Sequence, residues 1–380
     1  MIKKRIMSPG PVEIPPSVLS KASMPIIHHR TPEYRQALKE VEEGLKYVFQ
    51  TANRVLILAS SGTGAMEGSV SNLTSPGDKV IVASAGNFGN RWHDIASAFN
   101  LNVIKIEAEW GRPVNPDDIK DALEKNPDVK AVYTTLSETS TGVENDIEEI
   151  GKIVNKSNAV LVVDAISGIG AIRFKTDEWC VDCLVAGSQK ALMIPPGLAF
   201  VSLSEKAWKS VKESKNPKFY FSFEKALKSL TSDKLPDTPY TSAVSLVLQL
   251  NESLKIIKSI GIENNWENHA RLANATRQGI KGMGLTLFAK DSPSNAVTSV
   301  HVPEGVDGTQ LVKKIRDDYG ISIAGGQGKI KGKIFRIGHL GYVDGFDVLS
   351  ALSAVEMCLV SMGYKLELGK GIKSAEEVLI

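Results

Sequence analysis

The stretch Asp182-Cys183-Leu184-Val185-Ala186-Gly187-Ser188-Gln189-Lys190 is an apolar run that ends in a short polar segment and a lysine. An earlier apolar run, Val162-Val163-Asp164-Ala165, carries an aspartate 26 residues before Lys190. Both runs are typical of buried strands in a parallel sheet. Because ligands bind at the carboxyl ends of such strands, the two charged side chains are predicted to share one site.

A strand-end lysine that follows a strand-end aspartate is a known way to hold pyridoxal phosphate. The lysine amine condenses with the aldehyde of the cofactor, and the carboxylate keeps the pyridine nitrogen protonated so that the ring accepts electrons from a carbanion. For either residue alone, a salt-bridged lysine or a helix-capping aspartate is the ordinary alternative. The ordered pair makes Lys190 and Asp164 the candidate catalytic residues.

Composition favours a globular protein that acts on a small molecule. The chain has 380 residues, of which 42% are apolar and 23% charged, enough for two domains and a large core. Its net charge of +2 gives no reason to expect nucleic acid or an anionic membrane as partner. Three cysteines indicate a reducing compartment, so the cytoplasm is expected. The N-terminal sequence lacks the apolar run of a signal peptide, and no stretch reaches membrane-spanning length.

The order of strands and helices predicts an α/β fold. Helices are predicted at 33–50, 64–73, 88–99, 116–125 and 146–156, and strands at 54–59, 79–83, 102–106, 129–134, 159–163, 182–186 and 198–203. This alternation indicates a mainly parallel, seven-stranded sheet covered on both faces. After it come predicted helices near 241–259 and 263–281, then strands near 297–302, 321–324 and 333–337 with helices near 308–318 and 344–361.

The same pattern predicts three segments. Residues 1–17 contain four prolines and are expected to form an extended arm rather than a helix or strand. Residues 18–259 are expected to form a large cofactor-binding domain. Residues 260–380 are expected to form a smaller α+β domain.

A glycine-rich turn, Ser60-Ser61-Gly62-Thr63-Gly64-Ala65-Met66-Glu67-Gly68, follows the first predicted strand and opens a helix. The backbone amides and dipole of such a helix suit a phosphate group. The glycine spacing misses the dinucleotide-binding pattern by one residue, and the lysine of a nucleotide-hydrolase loop is lacking. An ordinary strand-to-helix corner is the alternative.

The chain resembles the class V pyridoxal phosphate enzymes, and among them the alanine:glyoxylate and serine:pyruvate aminotransferases. The motifs that carry the resemblance span nearly the whole chain: Ser8-Pro9-Gly10-Pro11, Ser61-Gly62-Thr63-Gly64-Ala65-Met66-Glu67, Glu138-Thr139-Ser140-Thr141-Gly142-Val143, Val163-Asp164-Ala165, Gly187-Ser188-Gln189-Lys190-Ala191-Leu192, Pro195-Pro196-Gly197 and Phe335-Arg336-Ile337-Gly338. The resemblance implies the type I fold of these transferases. It also implies a homodimer with shared active sites, and amino transfer from serine or alanine to glyoxylate or pyruvate.

The resemblance further implies a role for individual residues. Lys190 would bind the cofactor and shuttle the proton, and Asp164 would pair with the pyridine nitrogen. Phe88 would stack on one face of the cofactor ring, and Ile166 would pack on the other. The cofactor phosphate would be bound by Thr63, Gly64, Ala65 and Gln189, together with Thr238 of a neighbouring subunit. Thr139 would contact both cofactor and substrate, Gly10 would contact the substrate, and Arg336 would bind the substrate carboxylate with two hydrogen bonds. Core packing for Phe88 and an ion pair for Arg336 are the alternatives.

Two positions depart from the family pattern. Ala65 stands where some relatives carry histidine and Leu235 where some carry tyrosine, which predicts weaker or altered cofactor binding.

A lyase such as a cysteine desulfurase is the nearest alternative function, but it needs a cysteine on a mobile loop, and Cys358 falls in a predicted helix. A scaffold without catalysis would have no need of the lysine, aspartate and arginine together. No metal site is expected, because His28-His29-Arg30 lacks a completing ligand.

Overall fold

The computed structural model describes residues 2–231 and 235–380. The strands, in chain order, are β1 (Arg5–Ile6), β2 (Val55–Leu58), β3 (Lys79–Ser84), β4 (Asn102–Glu107), β5 (Ala131–Thr135), β6 (Ser137–Glu138), β7 (Val143–Glu144), β8 (Val160–Asp164), β9 (Cys183–Gly187), β10 (Ala199–Leu203), β11 (Val297–His301), β12 (Ile321–Ser322), β13 (Ala324–Gly325) and β14 (Ile334–Gly338).

The helices, in chain order, are α1 (Pro16–Ala22), α2 (Pro32–Phe49), α3 (Gly62–Leu73), α4 (Asn87–Ala98), α5 (Pro116–Lys125), α6 (Ile147–Val154), α7 (Glu205–Glu213), α8 (Phe223–Thr231), α9 (Val244–Ile260), α10 (Ile262–Gly282), α11 (Gly308–Tyr319), α12 (Gly345–Ser361) and α13 (Lys370–Leu379). Local chemistry sets several of their ends. Before α5, the Asn115 side chain accepts a hydrogen bond from the Asp117 amide, and Pro116 occupies the first turn. Helix α11 begins after Asp307 and ends at Gly320, which has a left-handed conformation.

The central sheet confirms the predicted α/β fold. Its strand order is β2-β10-β9-β8-β5-β3-β4, and it contains all seven strands predicted for the first part of the chain. Strand β10 runs antiparallel to both of its neighbours, whereas the remaining pairs are parallel. The sheet is therefore mainly parallel, with its antiparallel pairs near the β2 edge.

Apolar side chains from both faces of this sheet form two cores. In β8, Val160 and Val162 belong to one core, together with Met66 of α3. Leu161 and Val163 point the other way and belong to the second core. Because every residue of β8 is buried, the strand reads as a continuous apolar run rather than an alternating one.

The C-terminal part of the chain builds a smaller antiparallel sheet of order β11-β14-β13. A third core, beside the two on the central sheet, combines Phe335 and Ile337 of β14 with side chains of α11 and α12. This arrangement agrees with the mixed α and β pattern of the sequence. The segments 1–17, 18–259 and 260–380 stay predictions as independent domains.

The N-terminal arm differs from its prediction as a segment without helix or strand. Arg5–Ile6 pair in parallel with Ile321–Ser322, and helix α1 already begins at Pro16. The Met7 amide donates to the Ser322 carbonyl at 2.8 Å, and the Met7 carbonyl accepts from the Gly338 amide at 2.7 Å. A strand partner more than 300 residues away gives no local signal, so sequence pattern missed it.

Among residues 2–231 and 235–380, no helix combines the length and the apolar character needed to cross a bilayer.

Candidate active site

Lys190 lies in the turn after β9 with its side chain buried. Its Nζ donates a hydrogen bond to the Pro9 carbonyl oxygen. Burial lowers the pKa of Lys190 from 10.5 to about 8; Asp164 opposes this change, and the charges of Arg336 and Arg91 add to it. The amine is therefore poised to gain and lose a proton near neutral pH.

The N-terminal arm covers this lysine. Gly10 has a φ of +126°, and a Cβ placed on it would lie 2.5 Å from Lys190 Nζ. A side chain at position 10 would therefore be strained and would also displace the amine. The arm brings Gly10 to the lysine, and its contact with a substrate stays a prediction.

Asp164 is the last residue of β8, and its carboxyl group is buried. Its Oδ1 accepts a hydrogen bond from the Ile166 amide at 2.8 Å. Burial raises the pKa of Asp164 from 3.8 to about 7, and Glu138 raises it further, whereas Arg91 and Lys190 lower it. A positively charged partner would stabilise the ionised form of this carboxylate.

Asp164 and Lys190 line one cavity of about 100 Å³. Of the predicted site residues, it is also lined by Thr63, Phe88, Thr139, Ile166 and Gln189. Its remaining lining residues, which sequence reasoning missed, are Ser61, Gly62, Arg91, Ser137 and Ser167. The expectation that the lysine and the aspartate share one site at the carboxyl ends of strands is met in the structure.

The glycine-rich turn supplies one wall of this cavity at the start of α3. A Cβ on Gly62 would press against the end of the Ile166 side chain, so glycine leaves room for that side chain at the cavity. The Thr63 hydroxyl oxygen accepts a hydrogen bond from Arg91 Nη1 at 3.0 Å. Gln189 Oε1 is buried without a hydrogen-bond partner among the residues described.

Two predicted phosphate residues are placed differently. Gly64 and Ala65 do not line the cavity, and their amides donate to the Ser61 carbonyl at 3.0 and 3.4 Å. The Ala65 side chain is fully buried in the core between the sheet and α3. Their predicted role in phosphate binding stays a prediction.

Phe88 is held at the start of α4 by a buried carboxylate. Glu138 accepts hydrogen bonds from the amides of Phe88 at 3.1 Å, Gly89 at 2.8 Å and Ser140 at 3.2 Å, and from the Ser140 hydroxyl at 2.5 Å. Burial raises the pKa of Glu138, and these donors oppose the rise. Glu138 belongs to a motif quoted from the sequence, but its role was not predicted.

Arg336 reaches the site from β14, in the C-terminal part of the chain. Its Nε and Nη2 donate to the Gly325 carbonyl at 3.0 and 2.7 Å, and its Nη1 donates to the Thr139 carbonyl at 2.8 Å. Burial lowers the pKa of Arg336 to about 10. It forms no ion pair with a carboxylate in the described part of the chain, so this guanidinium suits an anionic ligand.

Thr139 links this arginine to the cavity. Its hydroxyl donates to Ser167 Oγ at 2.7 Å, and its carbonyl accepts the bond from Arg336. Both threonine and serine side chains are buried and line the cavity. The role of Thr139 beside the cofactor and the substrate stays a prediction.

Thr238 and the cysteines lie outside the cavity lining. The Thr238 hydroxyl donates to the Tyr240 carbonyl at 2.7 Å, within its own loop. Cys183 and Cys358 are buried, whereas Cys180 is partly exposed. Burial raises the pKa of Cys183 to about 12, which disfavours a reactive thiolate.

Pyridoxal phosphate fits the residues that are present. The unpaired end of the Gln189 amide can turn to donate to a phosphate oxygen, and the first turn of α3 adds backbone donors. Lys190 offers an amine of lowered pKa, and Asp164 offers a buried carboxyl that lacks a cationic ring partner. The orphaned polar groups thus match the parts of the cofactor.

Comparison with known proteins agrees with this geometry. A model of the family described as Aminotransferase class-V matches residues 19–334. A protein of Synechococcus sp. named soluble hydrogenase, small subunit, is 42% identical over 99% of this chain and 98% of its own length. The serine–glyoxylate aminotransferase of Methylorubrum extorquens is 35% identical over 99% of this chain and 96% of its own. The crystal structure of ureidoglycine-glyoxylate aminotransferase from Bacillus subtilis has a TM-score of 0.95 and 31% identity, and the match covers 100% of this chain and 98% of that one.

Proposed function

Because the chain belongs to the class-V aminotransferases, which depend on pyridoxal phosphate, we propose that it moves the amino group of serine or alanine to glyoxylate or pyruvate. The observation that carries this proposal is one cavity lined by both Lys190 and Asp164. Arg336, which has no ion-pair partner among residues 2–231 and 235–380, donates to the carbonyl of Thr139 in the cavity lining. A hydrogenase subunit, the name that one relative carries, has no use for this arrangement. The relative named serine–glyoxylate aminotransferase supports the choice of a small donor and acceptor.

The residues that would hold the cofactor divide by its parts. Lys190 would bind its aldehyde carbon, Asp164 its pyridine nitrogen, and Thr63 and Gln189 its phosphate. When bound, pyridoxal phosphate supplies a carbonyl carbon that takes up an amine and a ring that takes up an electron pair. The partly buried ring of Phe88, held by Glu138, offers a stacking surface.

Lys190 would move the proton in this reaction. Because burial lowers its pKa to about 8, part of the amine is neutral near neutral pH and can accept a proton from the α-carbon of an amino acid. The Pro9 carbonyl accepts a hydrogen bond from Nζ and so orients the amine. Asp164 supplies the negative charge that favours a protonated ring nitrogen.

Arg336 would select substrates that carry an α-carboxylate. Three of its N–H groups donate to the backbone carbonyls of Gly325 and Thr139, which fixes the plane of the guanidinium. Two N–H groups remain for a ligand, so a carboxylate can be bound by two hydrogen bonds. Amino acids and 2-oxo acids share this group, so the same arginine serves both halves of the reaction.

A cysteine desulfurase is disfavoured by the positions of the cysteines. Within the described chain, no cysteine lines the cavity, and Cys358 lies buried in α12 with its Sγ donating to the Leu311 carbonyl at 3.8 Å. A desulfurase needs a thiol that reaches the substrate sulfur. The structure offers no such group near Lys190 in residues 2–231 and 235–380.

We also propose that the protein is a cytoplasmic homodimer. Two neighbouring aromatic side chains support the dimer, because Phe219 is 82% and Tyr220 45% exposed. The Tyr220 hydroxyl donates to the Ala59 carbonyl, just before the glycine-rich turn. Exposed apolar side chains of this kind are typical of protein interfaces. Three free cysteines support a reducing compartment.

The proposal is tested by the visible absorption of the protein loaded with pyridoxal phosphate. L-serine or L-alanine, added without a 2-oxo acid, should bleach the yellow colour, and glyoxylate or pyruvate should restore it. Colour that neither amino acid changes would contradict the proposed donors. Release of sulfide from cysteine would favour the lyase instead.

Replacing Lys190 provides the matching prediction. We expect Lys190→Ala to lose amino transfer by at least about a thousandfold, because the buried amine in the cavity lining is removed. Its far-ultraviolet circular dichroism and elution volume should match those of the unmodified protein. Transfer activity retained in this variant would refute the assignment of Lys190.

A further inference from the structure

Arg91 is a cation at the cavity for which the mechanism above has no use. It lies on α4, nearly one helical turn after Phe88, and its guanidinium carbon is 4.9 Å from the centroid of the Phe88 ring. It lines the same cavity as Lys190 and Asp164. No carboxylate among residues 2–231 and 235–380 forms an ion pair with it, so its charge is left for a ligand.

The hydrogen bond from Arg91 determines how the Thr63 hydroxyl can act. Arg91 Nη1 donates to Thr63 Oγ1 at 3.0 Å, so the threonine oxygen serves as an acceptor. The hydroxyl proton stays free to donate, and it finds no acceptor in the part of the chain that the structure describes. A hydroxyl that accepts from a cation becomes a stronger donor, because hydrogen bonds in a chain polarise one another.

The surroundings of Thr63 favour an anion as the acceptor for this proton. Thr63 is in the first turn of α3, where unpaired backbone amides and the helix dipole attract negative charge. A phosphate monoester carries close to two negative charges at pH 7. Arg91 adds a positive charge close to this helix end. Lys190 is a second basic residue of the cavity lining.

We propose that Arg91 is a positioning residue for the cofactor phosphate, which fixes and polarises the Thr63 hydroxyl as a donor to a phosphate oxygen. This inference rests on the proposed function only through the cofactor and is independent of the amino donor. Arg91 also packs over the Phe88 ring, and this contact holds its guanidinium beside Thr63.

A double-mutant cycle tests the proposal, with the cofactor-free protein titrated with pyridoxal phosphate and, separately, with pyridoxal. We expect Arg91→Gln and Thr63→Val each to weaken pyridoxal phosphate binding by about ten- to a hundredfold. The double variant should be weakened by no more than about threefold beyond either single one, because both changes break the same chain of hydrogen bonds. Binding of pyridoxal, which lacks the phosphate, should change less than about twofold.

Other outcomes would overturn the proposal. Losses that multiply in the double variant would mean that Arg91 acts independently of Thr63. An equal loss for pyridoxal would mean that Arg91 only maintains the structure of the pocket. Because these titrations need no amino acid, a failed reaction with serine or alanine would leave their result unaffected.

Three variants serve as controls. Thr63→Ser keeps the hydroxyl and should bind pyridoxal phosphate within about threefold of the unmodified protein. Arg112→Gln removes the same charge from a side chain that is 66% exposed and should have no effect. Arg91→Lys keeps a donor and should fall between the unmodified protein and Arg91→Gln, so it preserves the test if the glutamine variant fails to fold.

Discussion

The two catalytic candidates are tuned by burial in opposite directions. Loss of water raises the pKa of Asp164 to about 7 and lowers that of Lys190 to about 8, because each charged form is costly in the cavity. Both groups therefore change protonation near neutral pH in the protein without its cofactor. A bound ring that carries a positive charge would offset the free-energy cost of ionising buried Asp164. The ionised carboxylate therefore destabilises the protein without its cofactor and would favour cofactor binding.

This cost predicts how stability depends on pH. Between about pH 4 and pH 7 the unfolded chain has ionised Asp164 while the folded chain keeps it protonated, so stability falls as pH rises. Asp164→Asn removes the carboxyl group. At pH 8 we expect the cofactor-free variant to be more stable than the unmodified protein by about 1 to 3 kcal/mol, since lost attraction to Lys190 offsets part of the gain.

Urea unfolding of both cofactor-free proteins between pH 4 and pH 8 measures the difference. The gap in unfolding free energy should narrow toward pH 4, where the folded carboxyl group is protonated and the unfolded one is about half protonated. A gap that stays constant over this range would show that Asp164 is ionised throughout in the folded protein.

At the start of α4, a single carboxylate organises one wall of the site. Glu138 accepts from the amides of Phe88 and Gly89, which belong to the first turn and have no partner within the helix. Negative charge is favourable at this end of a helix. Phe88 and Arg91 both project from α4, so the position of this helix sets the stacking surface and the arginine together.

Glu138→Gln should weaken this anchor. The amide keeps one acceptor oxygen but turns an NH₂ group toward amides that also donate, leaving buried donors unpaired. We expect a loss of about 2 to 3 kcal/mol of unfolding free energy and weaker binding of both pyridoxal phosphate and pyridoxal. Glu148→Gln, in the exposed first turn of α6, is the control and should change stability by less than about 0.5 kcal/mol. Unchanged stability in the Glu138 variant would mean that its hydrogen bonds contribute nothing net.

Sequence pattern predicted the seven strands of the central sheet and the helices α2 to α6 and α9 to α12. Helix α2 was predicted at 33–50 and observed at Pro32–Phe49, and strand β9 was predicted at 182–186 and observed at Cys183–Gly187. Helices α1, α7, α8 and α13 were not predicted. They are short, and their stability comes mainly from packing against distant parts of the chain, which periodicity does not record.

The site was predictable where residue type alone specifies the chemistry. Lys190, Asp164 and Arg336 are proposed for roles that few residue types can fill. Lys190 and Asp164 line one cavity, and Arg336 donates to the carbonyl of Thr139, which also lines it. Arg91 and Glu138 were missed because their roles depend on partners that the fold brings together. The Arg91 bond to Thr63 spans 28 residues and the Glu138 bonds to α4 span about 50, so neither leaves a local spacing signal.

The complete site draws on parts of the chain that are far apart in sequence. Gly10 comes from the N-terminal arm, Lys190 from the central sheet and Arg336 from the C-terminal sheet. The arm is itself paired with β12 and bonded to Gly338, the last residue of β14. The arm that covers Lys190 and the strand that carries Arg336 are therefore physically joined, so cofactor and substrate contacts depend on the same packing.

In the proposed homodimer, the cofactor site of one subunit would also need Thr238 of the other. Dimers that contain two different variants test this requirement. Thr238→Val removes a hydroxyl that bonds only to the Tyr240 carbonyl within the described chain. If Thr238 serves the phosphate of the neighbouring subunit, a dimer of one Thr238→Val chain and one Lys190→Ala chain contains one intact site. That site combines Lys190 of the first chain with Thr238 of the second.

Random exchange of the two variants should restore normal cofactor affinity and amino transfer in about one quarter of all sites. Each variant alone lacks such sites, because every Lys190→Ala site is inactive and every Thr238→Val site lacks the hydroxyl. The fraction is measured as bound cofactor and amino transfer at a pyridoxal phosphate concentration too low to fill the Thr238→Val sites. If Thr238 instead serves its own subunit, each chain with Lys190 keeps its own defect, and mixing should restore nothing.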